Sequence, residues 1–502
     1  MELQLAMSGV LSFIILLLMV MKIGWRSQTK TSTRKLPPGP RKLPLIGNLH
    51  QLNGGLPHHS LTNLANKYGP LMHMKLGEVS TVVVSSAEIA ELVMKTHDHI
   101  FASRPALLAP KIIAYDSSSM VFSPYGAYWR HLRKICTTEL LSSNRVESFR
   151  SIREEEVSNC IKMISLNEGS PIDLSEKIFS LIYGLTARIA FGEKSEDQEE
   201  YISIMTVTTK LLSGFCLADL YPSIQILQTI TGMSYTLKKL YKKFDRILDK
   251  IIQSHRGSKS KRKSLDGVAE EDLVDVLLKV QKDNDLDLHL SDGNVKAVLI
   301  DMFSAGSETV ATTIAWTMSE MIKNPKVMKE AQAEVRRVFK GKDCVDEASI
   351  HELIYLKAVI RETLRLHPPA PLLLPRVCTE RCEINGYDIP AKTKVIVNAY
   401  AINRDPRYWT EPEKFLPERF LDSTIDYRGG NFAYIPFGAG RRICPGILFG
   451  MANLQLTLAE LLYHFNWELP NGMNHEELDM VESFGLSVNR KHNLVLVPVT
   501  YC

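Results

Sequence analysis

Residues 436–446 read Pro-Phe-Gly-Ala-Gly-Arg-Arg-Ile-Cys-Pro-Gly, and no other segment constrains the fold as much. Gly438, Gly440 and Gly446 surround one cysteine, Cys444. Glycine lets a backbone approach a flat object closely and take conformations closed to other residues. Its N–H groups can then be presented to sulfur. Pro445 suits a first helical position, and a helix N-terminus behind Cys444 favours its thiolate. Arg442 offers a guanidinium to a carboxylate. A lone cysteine is more often a small buried hydrophobe. The whole spacing, Phe-x-x-Gly-x-Arg-x-Cys-x-Gly, turns the reading toward a metal ligand.

The chain around this loop is long, with 502 residues, 45% hydrophobic and 23% charged, as expected of a globular protein and not a disordered one. A formal net charge of +4 gives no global attraction to nucleic acid. Eight cysteines without framework spacing suit a reduced, cytosol-facing body. Cys378 and Cys382 have no second Cys/His pair to complete a zinc site.

Leu5–Met21 carries no charge and nearly spans a hydrocarbon layer of ~30 Å. Basic residues follow it and none precedes it, which places Met1 in the lumen and the body in the cytosol. A cleaved signal peptide would carry its charges on the other side. Residues 1–23 are therefore expected to anchor the chain in a membrane, that of the endoplasmic reticulum. Residues 24–44 form a basic and proline-rich linker, with Leu36-Pro37-Pro38-Gly39-Pro40 as a stiff spacer. Residues 45–502 form one large domain.

Within that domain, Met72–Leu76 and Thr81–Val84 alternate about Gly77-Glu78 and predict a hairpin. Ser86 is the expected N-cap of a helix through about Thr96. Apolar residues at helical spacing predict helices near 146–163, 174–191, 235–254, 271–283, 291–323 and 325–339. The run His255–Ser264 reads as a solvated basic loop. Short strands are expected at 383–387 and 394–398, and a last helix from Pro445 to about Phe465. The fold class is mainly α with small β-sheets (α+β).

The motifs now on the page resemble the cytochrome P-450 family, and in particular its plant microsomal, terpenoid-oxidising members, over essentially the whole chain. The resemblance implies a haem b cofactor (iron protoporphyrin IX) held by the thiolate of Cys444, with Phe437 packed against the ligand loop. Glu362 and Arg365 match the family's Glu-x-x-Arg. Arg419 completes a buried cluster that supports the haem loop. Trp129 and Arg133 match Trp-x-x-x-Arg, and with Arg376 and Arg442 they are implied to meet the propionates. Gly438 and Gly446 are implied to let the loop lie against the haem. Ala305-Gly306-Ser307-Glu308-Thr309 resembles the oxygen-activation segment, with Thr309 and Glu308 as the proton-handling pair. A helical threonine also back-bonds to the carbonyl four residues earlier, and both roles can coexist. Val310 stands where the family usually has Ser or Thr, and Ser307 is left as the substitute hydroxyl.

The implied activity is insertion of one oxygen atom from O₂ into an apolar small molecule. Electrons come from NADPH through a membrane-bound NADPH-cytochrome P-450 reductase. Ala305, Leu372, Leu373 and Phe484 are expected in the substrate pocket, with Glu308 as its only charged residue. A plant terpenoid is the favoured substrate, either a casbene-type macrocyclic diterpene or a sesquiterpene. Phenylpropanoid, flavonoid and alkaloid hydroxylation stay open. So do a non-redox haem isomerase or dehydratase and a non-catalytic haem or lipid carrier in the membrane. Thr309 and the intact cysteine loop speak against the last two.

Overall fold

The structure, a computed structural model, describes residues 35–52, 54–192, 197–211, 215–257, 271–282 and 289–501. The expected membrane anchor and most of the basic run at 255–264 lie outside them. Among the described residues no helix is long and apolar enough to cross a membrane.

In chain order, the elements that position the central cavity begin with α1 (Pro57–Tyr68), β1 (Leu71–Leu76), β2 (Val79–Val84), α2 (Ala127–Ile135) and α3 (Arg150–Ser165). Next come β3 (Ile172–Asp173), α4 (Leu174–Phe191), α5 (Met233–Gly257), α6 (Asp292–Lys323), α7 (Pro325–Val338) and α8 (Ile354–Leu366). The strands β4 (Arg376–Val377), β5 (Cys382–Ile384), β6 (Tyr387–Ile389) and β7 (Lys394–Val397) follow. The chain ends with α9 (Ile447–His464), β8 (Phe465–Glu468), β9 (Glu482–Ser483), β10 (Asn489–Arg490) and β11 (Val495–Thr500).

Helix α6 is the axis of the molecule. Ser291 caps it, accepting from Asn294 N, while the Asn294 side chain returns the bond to the Ser291 backbone in a full capping box. It stops at Asn324, because Pro325 cannot continue it and instead opens α7. From Val310 to Ile322 every side chain is buried. Burial on all faces is the mark of a helix enclosed by others. Helix α4 packs along it, held at its start by Asp173 accepting from Glu176 N, and α9 and α8 pack on its C-terminal half. One apolar core joins α3, α7, α8 and α9 to that half. A second joins α4 and α5 to the N-terminal half.

The sheets are small and peripheral. The largest runs β1-β2-β7-β4, with β1/β2 and β4/β7 antiparallel and β2/β7 parallel. Others run β3-β11-β8, β5-β6 and β10-β9. The strand expected at 383–387 is a hairpin, because Asn385 and Gly386 both take positive φ and reverse the chain. The helix after Ser86 widens into a π-turn over Leu92–Thr96. The segment expected to be a stiff spacer lies against the body: His73 N donates to Pro38 O at 2.8 Å, and Asn48 Nδ2 to Pro40 O at 3.1 Å.

Candidate active site

A cavity of about 950 Å³, partly open to solvent, lies beside α6. Asp301, Ala305, Gly306, Thr309, Val310 and Thr313 of α6 line it, together with Phe437, Cys444 and Gly446. The cysteine loop is fixed by Cys444 N donating to Phe437 O at 3.0 Å. Gly440 has φ +70°, and a Cβ there would come within 1.9 Å of Met94 O, so the loop's tight seat needs glycine. Helix α9 starts at Ile447, so Pro445 is not its first residue. The expected helix-terminus activation of the thiol fails accordingly. Burial raises Cys444 above the ordinary thiol value, against the smaller opposing pull of the Gly446 N–H and Arg133. A bound metal is then what makes the thiolate.

Asp98 also anchors this loop. Arg376 Nη1 lies 2.9 Å from Asp98 Oδ1, and Arg441 N donates to Asp98 Oδ2 at 2.7 Å. Arg376 Nη2 donates to Ala439 O at 3.0 Å, so Arg376 is already paired within the protein. Arg133 Nη2 donates to Ile443 O at 2.8 Å, one residue before Cys444. Arg442 donates to the carbonyls of Ala102, Met120 and Ser123, and lies 4.2 Å from the Trp129 ring centroid. Trp129 Nε1 donates to Met120 O at 3.0 Å. Arg104, absent from the sequence reading, joins them and donates to the carbonyls of Val121, Leu374 and Pro375.

These guanidiniums crowd each other. Arg442 is pushed down to about 9 by burial and by the charges of Arg376 and Arg133. Arg104 is lowered by burial and by Arg442 and Arg376. Two carboxylates stand against them, and one, Asp301, is itself raised to about 7 by burial, with the N–H groups of Val121 and Met120, Ser119 and Arg442 opposing. A buried excess of positive charge beside a cavity with one thiol suits a flat dicarboxylate carrying a metal. Haem fits that description. Cys444 would take the iron, and Trp129, Arg133, Arg376 and Arg442, with Arg104 beside them, would be the donors to its carboxylates.

The supporting cluster is complete. Arg365 grips Glu362 with two 2.8 Å bonds, Arg419 Nε reaches Glu362 Oε1 at 3.0 Å, and Leu416 N donates to the same oxygen. Arg365 spends its remaining donors on the carbonyls of Asn403, Pro412 and Lys414.

On α6, Thr309 Oγ1 donates to Ala305 O at 2.7 Å, the back-bonded state of a helical threonine. Glu308 is not beside it in the cavity. Its carboxylate faces a separate polar chamber, accepting from Tyr183 OH at 2.5 Å and Asn489 Nδ2 at 2.7 Å. Thr312 bonds Asn489 Oδ1 in the same network. Ser307 is fully buried and does not line the thiol cavity, whereas Thr313 does. Leu372, Leu373 and Phe484 line a further cavity with Phe215, Lys394 and Ile396. The expectation that Glu308 is the only charged pocket residue is thus corrected. Asp301 lines one cavity and buried Lys394 the other, while Glu308 lines neither. Tyr183 and Asn489 escaped the sequence reading because nothing local marks them: they meet Glu308 from 125 and 181 residues away.

Fold and cavity together define a mainly helical cofactor enzyme, with one thiol in an apolar cavity and a cluster of buried guanidiniums close to its loop. The chain belongs to the cytochrome P450 family, whose sequence profile matches residues 37–497. It is 54% identical to "Cytochrome P450 71D10" of Glycine max, over 97% of this chain and 96% of that one. It is 54% identical to "Tabersonine 16-hydroxylase 1" of Catharanthus roseus (96% and 94%) and 51% to "Salviol synthase" of Salvia pomifera (95% and 95%). Among solved structures, a zebrafish cytochrome P450 crystallised with progesterone superposes with a TM-score of 0.76 at 24% identity, covering 89% of this chain and all of that one. The chain is accordingly a haem monooxygenase of the plant kind, using O₂ and an organic substrate, with electrons from NADPH through a reductase.

Proposed function

We propose that the chain oxidises an apolar plant terpenoid, a casbene-type diterpene before a sesquiterpene, with Cys444 as the iron ligand. The carrying observation is the wall built by Leu372, Leu373, Phe484, Phe215 and Ile396, which gives a hydrocarbon apolar contact on several sides, with Lys394 the one charged side chain among its lining residues. Haem, when bound, supplies the iron at which O₂ is reduced and one oxygen atom is passed to carbon. The protein's own part is orientation, exclusion of water and movement of protons. Thr309 stands on the cavity wall with its Oγ1 bonded to Ala305 O, and would be the hydroxyl donor on the haem side of the helix. Glu308 takes protons from the polar chamber and hands them on toward Thr309 after leaving Asn489.

The reductase is the membrane-bound NADPH-cytochrome P-450 reductase, and residues 1–23 hold this chain in the same membrane, that of the endoplasmic reticulum, N-terminus lumenal. Removing residues 1–34 is expected to shift the protein from the membrane pellet toward the supernatant.

Alkaloid oxidation is the second reading, favoured by the 54% identity to "Tabersonine 16-hydroxylase 1". Co-expression with a reductase, a panel of terpene hydrocarbons and alkaloids, and mass spectrometry decide between them. Oxygenated diterpene is the expected product, and turnover confined to alkaloids would overturn the terpenoid assignment. Carbon monoxide added to the reduced protein should give the absorption typical of a thiolate ligand, and Cys444→Ser should abolish it.

A further inference from the structure

Away from the thiol cavity, three imidazoles converge on one carboxylate. Glu482, at the start of β9, accepts from His58 Nε2 at 2.8 Å, and the same oxygen lies 3.1 Å from His59 Nε2. Ligand atoms of His58, His59 and Glu482 all lie within 4.8 Å of one another. The other oxygen of Glu482 faces His367 Nδ1 at 3.9 Å, too far for a hydrogen bond. His367 Nε2 is bonded to Glu320 at 2.7 Å, and its ring stacks on Trp316 at 4.1 Å. That bond gives Nε2 the proton, and Nδ1 has no hydrogen-bond partner among the described residues.

We propose that His58, His59 and Glu482 form a three-ligand site for a zinc-class divalent cation. Imidazole and carboxylate are donors zinc uses, and three of them leave a fourth position open to water. Arg404 and Arg490, the nearby cations, are turned to other partners, Glu413 with the carbonyl of Leu366 and the carbonyl of Asp479. His59, 42% exposed, provides the way in. The competing arrangement is the hydrogen bond from His58 to Glu482, which a cation must replace. The site matters because β9 leads into Phe484 on the apolar cavity wall and pairs with β10, whose Asn489 holds Glu308.

The test is zinc chloride titrated calorimetrically into full-length, haem-loaded, chelator-treated protein, in two buffers of different ionisation enthalpy. The zinc retained after desalting is counted. One ion per chain with proton release is expected. His59→Ala, at an exposed position, and Glu482→Gln should each weaken binding at least tenfold, while exposed His475→Ala should not. Absence of stoichiometric uptake, or uptake unchanged in His59→Ala and Glu482→Gln, would overturn the site and leave the hydrogen bond in its place.

Discussion

The carboxyl of Asp301 is fully enclosed and accepts from Val121 N at 2.8 Å. Burial raises it to about 7 from an ordinary 3.8. A raised acid binds its proton more tightly in the folded chain, so the stability it allows is fully present at low pH. That stability is lost as pH rises from about 4 to about 7, a difference on the order of 4 kcal/mol. Asp301→Asn keeps an oxygen for Val121 N and removes the charge. Melting curves should show it more stable than wild type at pH 8, with the gap closing toward pH 4.5. A gap that does not vary with pH would show that the carboxyl is not raised. The same scale decides proton supply. Thr309→Ala is expected to uncouple NADPH use from product, releasing peroxide instead. Asn489→Leu leaves Thr309 in place but takes one partner from Glu308, and should also lower product per NADPH. The apolar replacement should enlarge the solvent isotope effect, whereas Asn489→Asp should respond differently to pH. Coupling equal to wild type in Asn489→Leu would remove Asn489 from the route.

At the scale of elements, α8 is tied to the segment that leads to the cysteine loop through Glu362, Arg365 and Arg419. A buried charge that loses its partner is costly, about 3–5 kcal/mol. Glu362→Gln should therefore lower the unfolding free energy by that much, read from denaturant curves, or abolish haem-loaded protein on expression. Arg419, the more exposed partner, should cost less. Elements such as α4 were legible because apolar residues at helical spacing fix a buried face, and the hairpin β1/β2 because its alternation and turn agree. The break in 382–389 was missed, although Asn385-Gly386 carries the turn in its own residue types. Strands β8 to β11 were not legible: β9 and β10 have only two residues each, and β11 pairs with β3 and β8, which lie well before it in the chain. Of the site, the cysteine loop could be read from spacing, and the Glu362 cluster followed from the resemblance to the family. Asp98, Arg104, Tyr183 and Asn489 could not, since their partners come together only when the chain is folded. The direction of Glu308, away from the thiol cavity, follows from which helix packs on each side of α6, and that is a tertiary fact.

The molecule as a whole is folded around charge it does not itself balance. Arg104, Arg133, Arg376 and Arg442 are drawn together beside one cavity, with Asp98 shared between Arg376 and Arg441 and with Asp301 pushed toward neutrality. Backbone carbonyls satisfy their hydrogen bonds but leave the charge. A dianionic cofactor supplies what is missing, so cofactor binding and folding are one equilibrium. Each tenfold excess of free haem over its dissociation constant adds about 1.4 kcal/mol of stability. The rise in melting temperature between haem-free and haem-loaded protein measures this directly. In Arg442→Leu the haem-free protein changes too, because three carbonyls lose their donor. The informative quantity is therefore the rise itself and not either endpoint. It should shrink relative to wild type, and Cys444→Ser should shrink it by a different route, through the iron. If the rise in Arg442→Leu equals that of wild type, the guanidinium cluster serves the protein alone and the cofactor's carboxylates are held elsewhere.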